Sequence, residues 1–140
     1  MSGTIHAGCI ALGGRGVLIV GGSGSGKSDL ALRMIDRGAG LVSDDYTLLR
    51  AEGGRLYASA PVAIAGRIEV RGIGLIEMAA VGEAPLCLLI DLDSPPERLP
   101  EPRSASFLGL ELPAVTLAAL EASAAIKLEL ALDHFGLPAP

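Results

Sequence analysis

Short apolar runs separated by glycine-rich turns follow one another through the first half of the chain. Residues 4–12 are predicted to form a strand, residues 13–16 to reverse the chain, and residues 17–20 to pair back as a hairpin. Residues 29–37 repeat their apolar positions at helical spacing, and Gly38 supplies a stop. A strand, a loop and a helix in this order are typical of an α/β domain.

The remaining chain predicts mostly strands and ends in a helix. The expected elements are an apolar run at 40–43 that ends in Asp44 and Asp45, a hairpin of 46–50 and 55–59 around Gly53-Gly54, a half-strand with loosening glycines at 67–77, a buried strand at 85–91, a proline-rich surface loop at 93–103, a strand at 108–117, and a helix at 118–135 with Leu120, Ala124, Leu128, Ala131 and Phe135 on one face. Residues 126–130 also alternate as a strand would. The expected sheet is therefore mixed.

Between the second strand and the first helix stands a phosphate-binding motif, G-x-x-x-x-G-K-[ST]. Its residues are Gly21, Gly22, Ser23, Gly24, Ser25, Gly26, Lys27 and Ser28. Glycines allow the backbone N–H groups to curl around an anion, and the helix that follows adds the positive end of its dipole. Lys27 is suited to the β- and γ-phosphates, and the Ser28 hydroxyl to Mg²⁺. The motif therefore predicts a nucleoside triphosphate site.

Composition narrows the class of protein. The net charge is −5 and only 3% of the 140 residues are aromatic. This balance leaves no basic stripe for nucleic acid. No apolar run approaches the ~20 residues of a membrane span. The N-terminus lacks the pattern of a secretory signal, so a cytoplasmic protein of one domain is expected.

A phosphate loop needs an acid for the metal and a group that accepts a proton. Asp91, after a run of apolar residues, fits the first role on pattern alone. The Asp44/Asp45 doublet fits a proton acceptor, because two neighbouring carboxylates raise the pKa of one of them. His6 is either a core histidine or a site residue, since its strand is expected to pair with the one that leads into the loop.

Three further segments give the sequence a family resemblance. Residues 4–8 (T-I-H-A-G), 42–45 (V-S-D-D) and 67–76 (R-I-E-V-R-G-I-G-L-I) flank the phosphate loop in the order seen in HPr kinase/phosphorylase. That family phosphorylates a serine of HPr, the phosphocarrier protein of the sugar phosphotransferase system. The resemblance covers essentially residues 1–140 but only the family's C-terminal kinase half. It implies a P-loop kinase domain with a mixed β-sheet, in a short form without the usual N-terminal domain.

The resemblance implies roles for individual residues. His6 falls on the family's active-site histidine, Lys27 on its P-loop lysine, and Asp45 on the aspartate that accepts the serine proton. Ser28 and Glu69 fall on Mg²⁺-binding positions, and Arg98 corresponds to the catalytic arginine. The doublet rather than Asp91 is then the catalytic pair.

The resemblance also implies ATP and Mg²⁺ as cofactors, HPr or a nitrogen-branch homologue as substrate, and a ring-like hexamer. One departure is clear: the family's P-V-R-P-G-R loop, tied to the reverse reaction, is replaced by residues 117–123, which contain neither arginine nor proline. Two cationic forks for a second phosphate are missing. We therefore expect a kinase with weak or no phosphorylase activity. A small-molecule P-loop kinase and a non-catalytic nucleotide sensor are the alternatives.

Overall fold

The computed structural model describes residues 2–140, which form eleven strands and two α-helices. The elements are β1 (Ser2–Ile5), β2 (Ala7–Leu12), β3 (Arg15–Val20), α1 (Lys27–Asp36), β4 (Gly40–Ser43), β5 (Thr47–Glu52), β6 (Arg55–Ser59), β7 (Arg67–Val70), β8 (Gly74–Glu77), β9 (Ala84–Asp91), β10 (Arg103–Phe107), β11 (Leu110–Thr116) and α2 (Ala124–Phe135). In this part of the chain no helix is long and apolar enough to cross a membrane.

Nine of these strands form one mixed sheet, and β7 and β8 form a separate hairpin. The β3 strand runs parallel to β9, with Val20 opposite Asp91, and β11 runs parallel to β9 on its other side. The β2 strand is antiparallel to both β3 and β4, so these two also share a direction. The carboxyl ends of β3, β4, β9 and β11 therefore meet at one edge, where α/β sheets bind ligands.

Alternating side chains of the central strands feed two hydrophobic cores. Val17 and Ile19 of β3 point to the face covered by α1 and α2, whereas Leu18 between them points to the face covered by β5 and β6. All three side chains are fully buried, and burial of each contributes roughly 1.5–3 kcal/mol. Packing on both faces fixes the position of β3, and with it the start of the phosphate loop. The predicted α/β fold with a mixed sheet is confirmed.

The prediction of one strand over residues 4–12 is wrong, because the chain bends at His6. The β1 strand pairs with β5, whereas β2 pairs with β3 and β4. The bend carries the chain from one set of partners to the other. Apolar pattern alone could not show it, since both strands have strand-forming sequences.

The last helix begins at Ala124 rather than at residue 118. Residues 118–124 form tight turns instead, with the Glu121 N–H bonded to Ala118 O and the Ala124 N–H bonded to Glu121 O. Leu120 is 86% exposed, so its predicted place on the buried helix face is also wrong. Arg33 of α1 explains the turn, because its guanidinium binds the carbonyl oxygens of Ala119 and Glu121.

Two short strands were not expected. The β10 strand is mostly polar and exposed, and it pairs only with β11. The β8 strand lies in the glycine-loosened half of residues 67–77, where Gly72 and Gly74 adopt positive φ angles in and beside the turn. Neither strand carries enough apolar alternation to stand out in the sequence.

Candidate active site

The phosphate loop joins the end of β3 to the start of α1. The Ser25 N–H donates to Gly22 O at 3.0 Å, which closes the loop into a turn. Gly24 and Gly26 have φ angles of 81° and 99°, a region that only glycine adopts readily. The first helical hydrogen bond runs from Leu30 N–H to Gly26 O, so the positive end of the α1 dipole faces the loop.

The shape of the loop fits a phosphate chain. A Cβ at Gly21 would lie 2.4 Å from Ser25 Oγ, so only glycine is accommodated there. Ser25 Oγ is buried and has no hydrogen-bond partner among the residues that the structure describes. A buried hydroxyl without a partner loses free energy, and a bound phosphate oxygen would remove that loss.

Lys27 is the charged group of the loop. Its side chain is 8% exposed, and Nζ donates to Gly21 O at 2.7 Å and to Gly22 O at 3.3 Å. An ammonium group has three N–H donors, so one remains for an anion. The loop thus holds a nearly buried positive charge at the point where its amides turn inward.

Ser28 and Asp44 form the candidate metal site. The Ser28 hydroxyl donates to Asp44 Oδ1 at 2.7 Å, and the main-chain N–H of Glu69 donates to Asp44 Oδ2 at 2.9 Å. A hydroxyl and a carboxylate are the hard oxygen donors that Mg²⁺ prefers. With only a few protein ligands, a bound Mg²⁺ would retain several of its water molecules. The donor set therefore fits Mg²⁺. Within residues 2–140, no three His, Cys, Asp or Glu side chains converge on a metal position.

Asp45 and His6 meet beside this pair. The Tyr46 N–H donates to Asp44 O at 2.8 Å, and Asp45, at the centre of that three-residue turn, has a φ of 68°. Such a turn is strained in any residue other than glycine, and strained residues cluster at functional sites. The turn brings Asp45 Oδ1 to 2.8 Å from His6 Nε2, and both side chains stay about half-exposed. The acid is therefore open to an incoming group.

Asp93 is a site residue that the sequence did not single out. Its two carboxylate oxygens accept the Gly22 N–H at 2.9 and 3.0 Å, and its own N–H donates to Asp91 Oδ1 at 2.8 Å. Asp91, which the sequence offered as a metal ligand, thus holds Asp93, and Asp93 holds the phosphate loop. The signal in the sequence was an acid two residues beyond a buried strand, inside a segment expected to be a surface loop.

A cavity of about 530 Å³ opens next to these acids. His6, Asp91 and Asp93 line its polar side, and apolar residues of β9, β10 and β11 line the rest. Arg103 also lines it, while pairing with Glu97 of the proline-rich loop. Arg98 does not: it is exposed and lines a different cavity, beside α2. The cation of the His6 cavity is therefore Arg103, which the sequence reasoning did not consider.

The structure brings three of the predicted residues to the Asp44/Asp45 pair: His6 bonds to Asp45, and the Ser28 hydroxyl and the main-chain N–H of Glu69 bond to Asp44. Lys27, next to Ser28 in the chain, bonds to the carbonyl oxygens of Gly21 and Gly22. The phosphate loop, the parallel strands beside it and the acids at their carboxyl ends define a P-loop α/β domain. Comparison with known proteins makes this more specific.

Residues 1–84 match the family model of the HPr Serine kinase C-terminal domain. A solved structure, the Hpr(Ser) kinase/phosphatase from Coxiella burnetii, superposes with a TM-score of 0.82 and 30% sequence identity, covering 94% of each chain. This chain belongs to the HPr serine kinase C-terminal domain family, and the predicted family resemblance is confirmed.

Two curated relatives extend the likeness beyond residue 84. The HPr kinase/phosphorylase of Caldanaerobacter subterraneus is 40% identical over 112 residues, which are 77% of this chain and 37% of the relative. The enzyme of the same name from Chlorobium chlorochromatii is 37% identical over 127 residues, which are 80% of this chain and 38% of the relative. The chain thus spans less than two fifths of the length of these two relatives.

Proposed function

We propose that this chain is a serine protein kinase that transfers the γ-phosphoryl group of ATP to a serine of HPr or of an HPr-like phosphocarrier. The observation that carries the proposal is the adjacent pair at the end of β4. Asp44 binds the hydroxyl of Ser28 in the phosphate loop, and Asp45 binds His6 at the mouth of an open cavity. One dipeptide therefore links a phosphate site to a half-exposed carboxylate.

In this proposal Asp45 is the proton acceptor. The seryl oxygen forms a bond to the γ-phosphorus while the bond from that phosphorus to the β–γ bridging oxygen breaks, and the seryl proton passes to Asp45. The hydrogen bond from His6 keeps the carboxylate in one orientation. Because the hydrogen bond already fixes Asp45, its side chain loses less conformational entropy when the seryl group reacts.

The phosphate loop stabilises the charge of the transferred group. Lys27 and the inward amides meet the phosphate oxygens, and Ser28 and Asp44 would hold Mg²⁺, with Glu69 beside them. Bound Mg²⁺ neutralises charge on the β- and γ-phosphates. The role of Arg98 at the transferring group stays a prediction, since its side chain faces the other cavity. Arg103 is a candidate contact for the carrier protein.

The test is a transfer assay from γ-labelled ATP to a panel of purified phosphocarriers, each paired with a variant whose acceptor serine is replaced by alanine. We expect label on the intact carrier and none on its alanine variant. Label on small metabolites alone would indicate a small-molecule kinase. Tight ATP binding without any transfer would indicate a nucleotide sensor, and either result would refute the proposal.

The reverse reaction should be weak. Residues 117–123 carry no arginine, and Arg33, which reaches this segment from α1, is bonded to main-chain carbonyl oxygens and to Asp29. We expect little pyrophosphate when the protein is incubated with serine-phosphorylated HPr and phosphate. Rapid release of pyrophosphate would contradict this.

A homo-oligomer, a hexamer by family resemblance, is part of the proposal. Ile73 and Leu75 of the β7–β8 hairpin are 74% and 68% exposed, which supports a contact surface there. Residues 1–140 are proposed to act as one kinase domain. Sedimentation of the purified protein measures the assembly, and a monomer at micromolar concentration would argue against it.

A further inference from the structure

The two sides of the phosphate loop are open to different partners. In the order of the sheet, β2 and β4 lie on one side of β3, and β9 and β11 lie on the other. Asp44 and Asp45 follow β4. If the γ-phosphoryl faces Asp45, as the proposed function requires, the nucleoside of the same molecule needs a second neighbour of the loop, and the segment that follows β11 is such a neighbour. The inference below rests on that proposed function.

On this side the segment 117–121 touches the phosphate loop directly. A Cβ at Gly26 would lie 3.0 Å from Ala119 Cβ and 3.9 Å from Leu120 Cδ2. Arg33 fixes the segment to α1, because it binds the carbonyl oxygens of Ala119 and Glu121 while paired with Asp29. The segment is therefore held against the phosphate loop.

Beside the segment lies a second cavity of about 550 Å³, within the size range of small-molecule sites. Its walls are largely apolar, with Leu117, Leu130 and Phe135 among them. The charged and polar groups of the lining are Glu97, Arg98, Thr116, Glu121, Lys127 and His134. Leu120, next to this lining, is 86% exposed. An apolar cavity with a few polar groups is the usual environment of a planar base.

We propose that residues 117–121 and this cavity form the subsite for the base of the nucleoside triphosphate, with Leu120 as an apolar contact. The phosphates bind in the loop, the ribose passes Gly26 and Ala119, and the base packs on the segment that replaces the family's arginine loop. At this segment the site would thus gain an apolar contact with the base of ATP, in place of the arginines that bind a second phosphate in the family.

The test separates the base from the phosphates by using two probes, Mg·ATP and Mg·tripolyphosphate, in calorimetric titrations. Leu120→Ser removes the apolar contact without adding charge, and the fold should tolerate it because Leu120 is 86% exposed. We expect ATP to bind about fivefold more weakly and tripolyphosphate to bind unchanged. Val62→Ser, at an exposed apolar residue that follows β6, is the matched control and should change neither affinity.

Three outcomes would overturn the inference. They are unchanged ATP binding by Leu120→Ser, an equal loss for both probes, and equal affinity of the wild-type protein for ATP and tripolyphosphate. In each case transfer to a phosphocarrier could still occur, so the proposed function would survive. If the wild-type protein binds ATP with a base contribution but transfers nothing, the proposed function fails and the base subsite stands.

Discussion

The two sides of the phosphate loop differ in chemistry, although they are built on neighbouring strands of one sheet. On the β4 side, charged and polar groups are bonded to one another: Ser28 to Asp44, and Asp45 to His6. On the β11 side, the loop meets alanine and leucine, and Arg33 is used to hold main-chain carbonyls. Transfer chemistry needs fixed charges, whereas binding of a base needs apolar surface.

The family model stops between these two regions. Residues 1–84 contain the loop, the acidic pair and the β7–β8 hairpin, and residues 85–140 contain the segment that departs from the family's arginine loop. On the β4 side each group is bonded to the next, so the side chains of the proposed transfer site have little conformational freedom. The proposed base subsite is less restrictive, because many apolar side chains can contact a ring.

The largest effect should come from Lys27, which lies in the phosphate loop between the two regions. Lys27→Ala removes the only cation of the phosphate loop itself, so transfer should fall by at least about a thousandfold and triphosphate binding should weaken. Quenched-flow transfer and calorimetry measure the two quantities. Arg37→Ala, at the other end of α1, is the control. Near-normal turnover by Lys27→Ala would remove the loop from the account.

A smaller effect, confined to the β4 side, is expected for Asp44→Asn. The amide keeps the shape but loses the charge that faces Ser28, so the Mg²⁺ concentration for half-maximal transfer should rise about tenfold or more. Tripolyphosphate binding without metal should hardly change. An unaltered Mg²⁺ requirement would mean that Asp44 only positions Ser28.

The β4 side could be predicted from the sequence because its chemistry resides in residues with few equivalents. A lysine in a glycine loop has a specific meaning before any fold is known, whereas the choice of the Asp44/Asp45 doublet over Asp91 came from the family resemblance. The pairing of Asp45 with His6 depends on a bend at His6, which the apolar pattern read as a continuous strand. The role of Asp44 toward Ser28 likewise needed coordinates, since both acids of the doublet look alike in a sequence.

The β11 side could not be predicted in the same way. Residues 118–123 have a helix-forming composition, and only the tertiary contact from Arg33 shows why they turn instead. Asp93 was hidden in a loop, because its partner is a main-chain N–H that has no sequence signature. Arg98 and Arg103 lie five positions apart, and only the fold separates the cavities that they line.

A still smaller effect is expected for Asp93→Ala, which changes the phosphate loop itself and therefore affects the binding of both probes. Gly22 N–H loses its acceptor, so the first turn of the loop is less restrained, and ATP and tripolyphosphate should both bind about threefold more weakly. Asp93→Asn keeps a carbonyl acceptor and should lose less. Loss for ATP alone would place Asp93 in the nucleoside subsite instead.

The smallest effect is expected far from both sides, at Glu83. Arg50 binds both carboxylate oxygens at 2.7 Å and holds the pKa of Glu83 below its usual range. A lowered pKa in the folded state stabilises the protein above the pKa of the unfolded chain, and this is lost as pH falls through the folded pKa. Glu83→Gln should thus lower the melting temperature slightly at neutral pH and not at strongly acidic pH, with transfer unchanged.

The central claim is tested most directly by single-turnover transfer to the phosphocarrier with Asp45→Asn, measured alongside ATP affinity. The substitution preserves size and a hydrogen-bond acceptor for His6, but it removes the group that takes the seryl proton. We predict that the rate of the chemical step falls by on the order of 10²–10⁴, while ATP binds as tightly as to the wild-type protein. Transfer at the wild-type rate by Asp45→Asn would contradict the account.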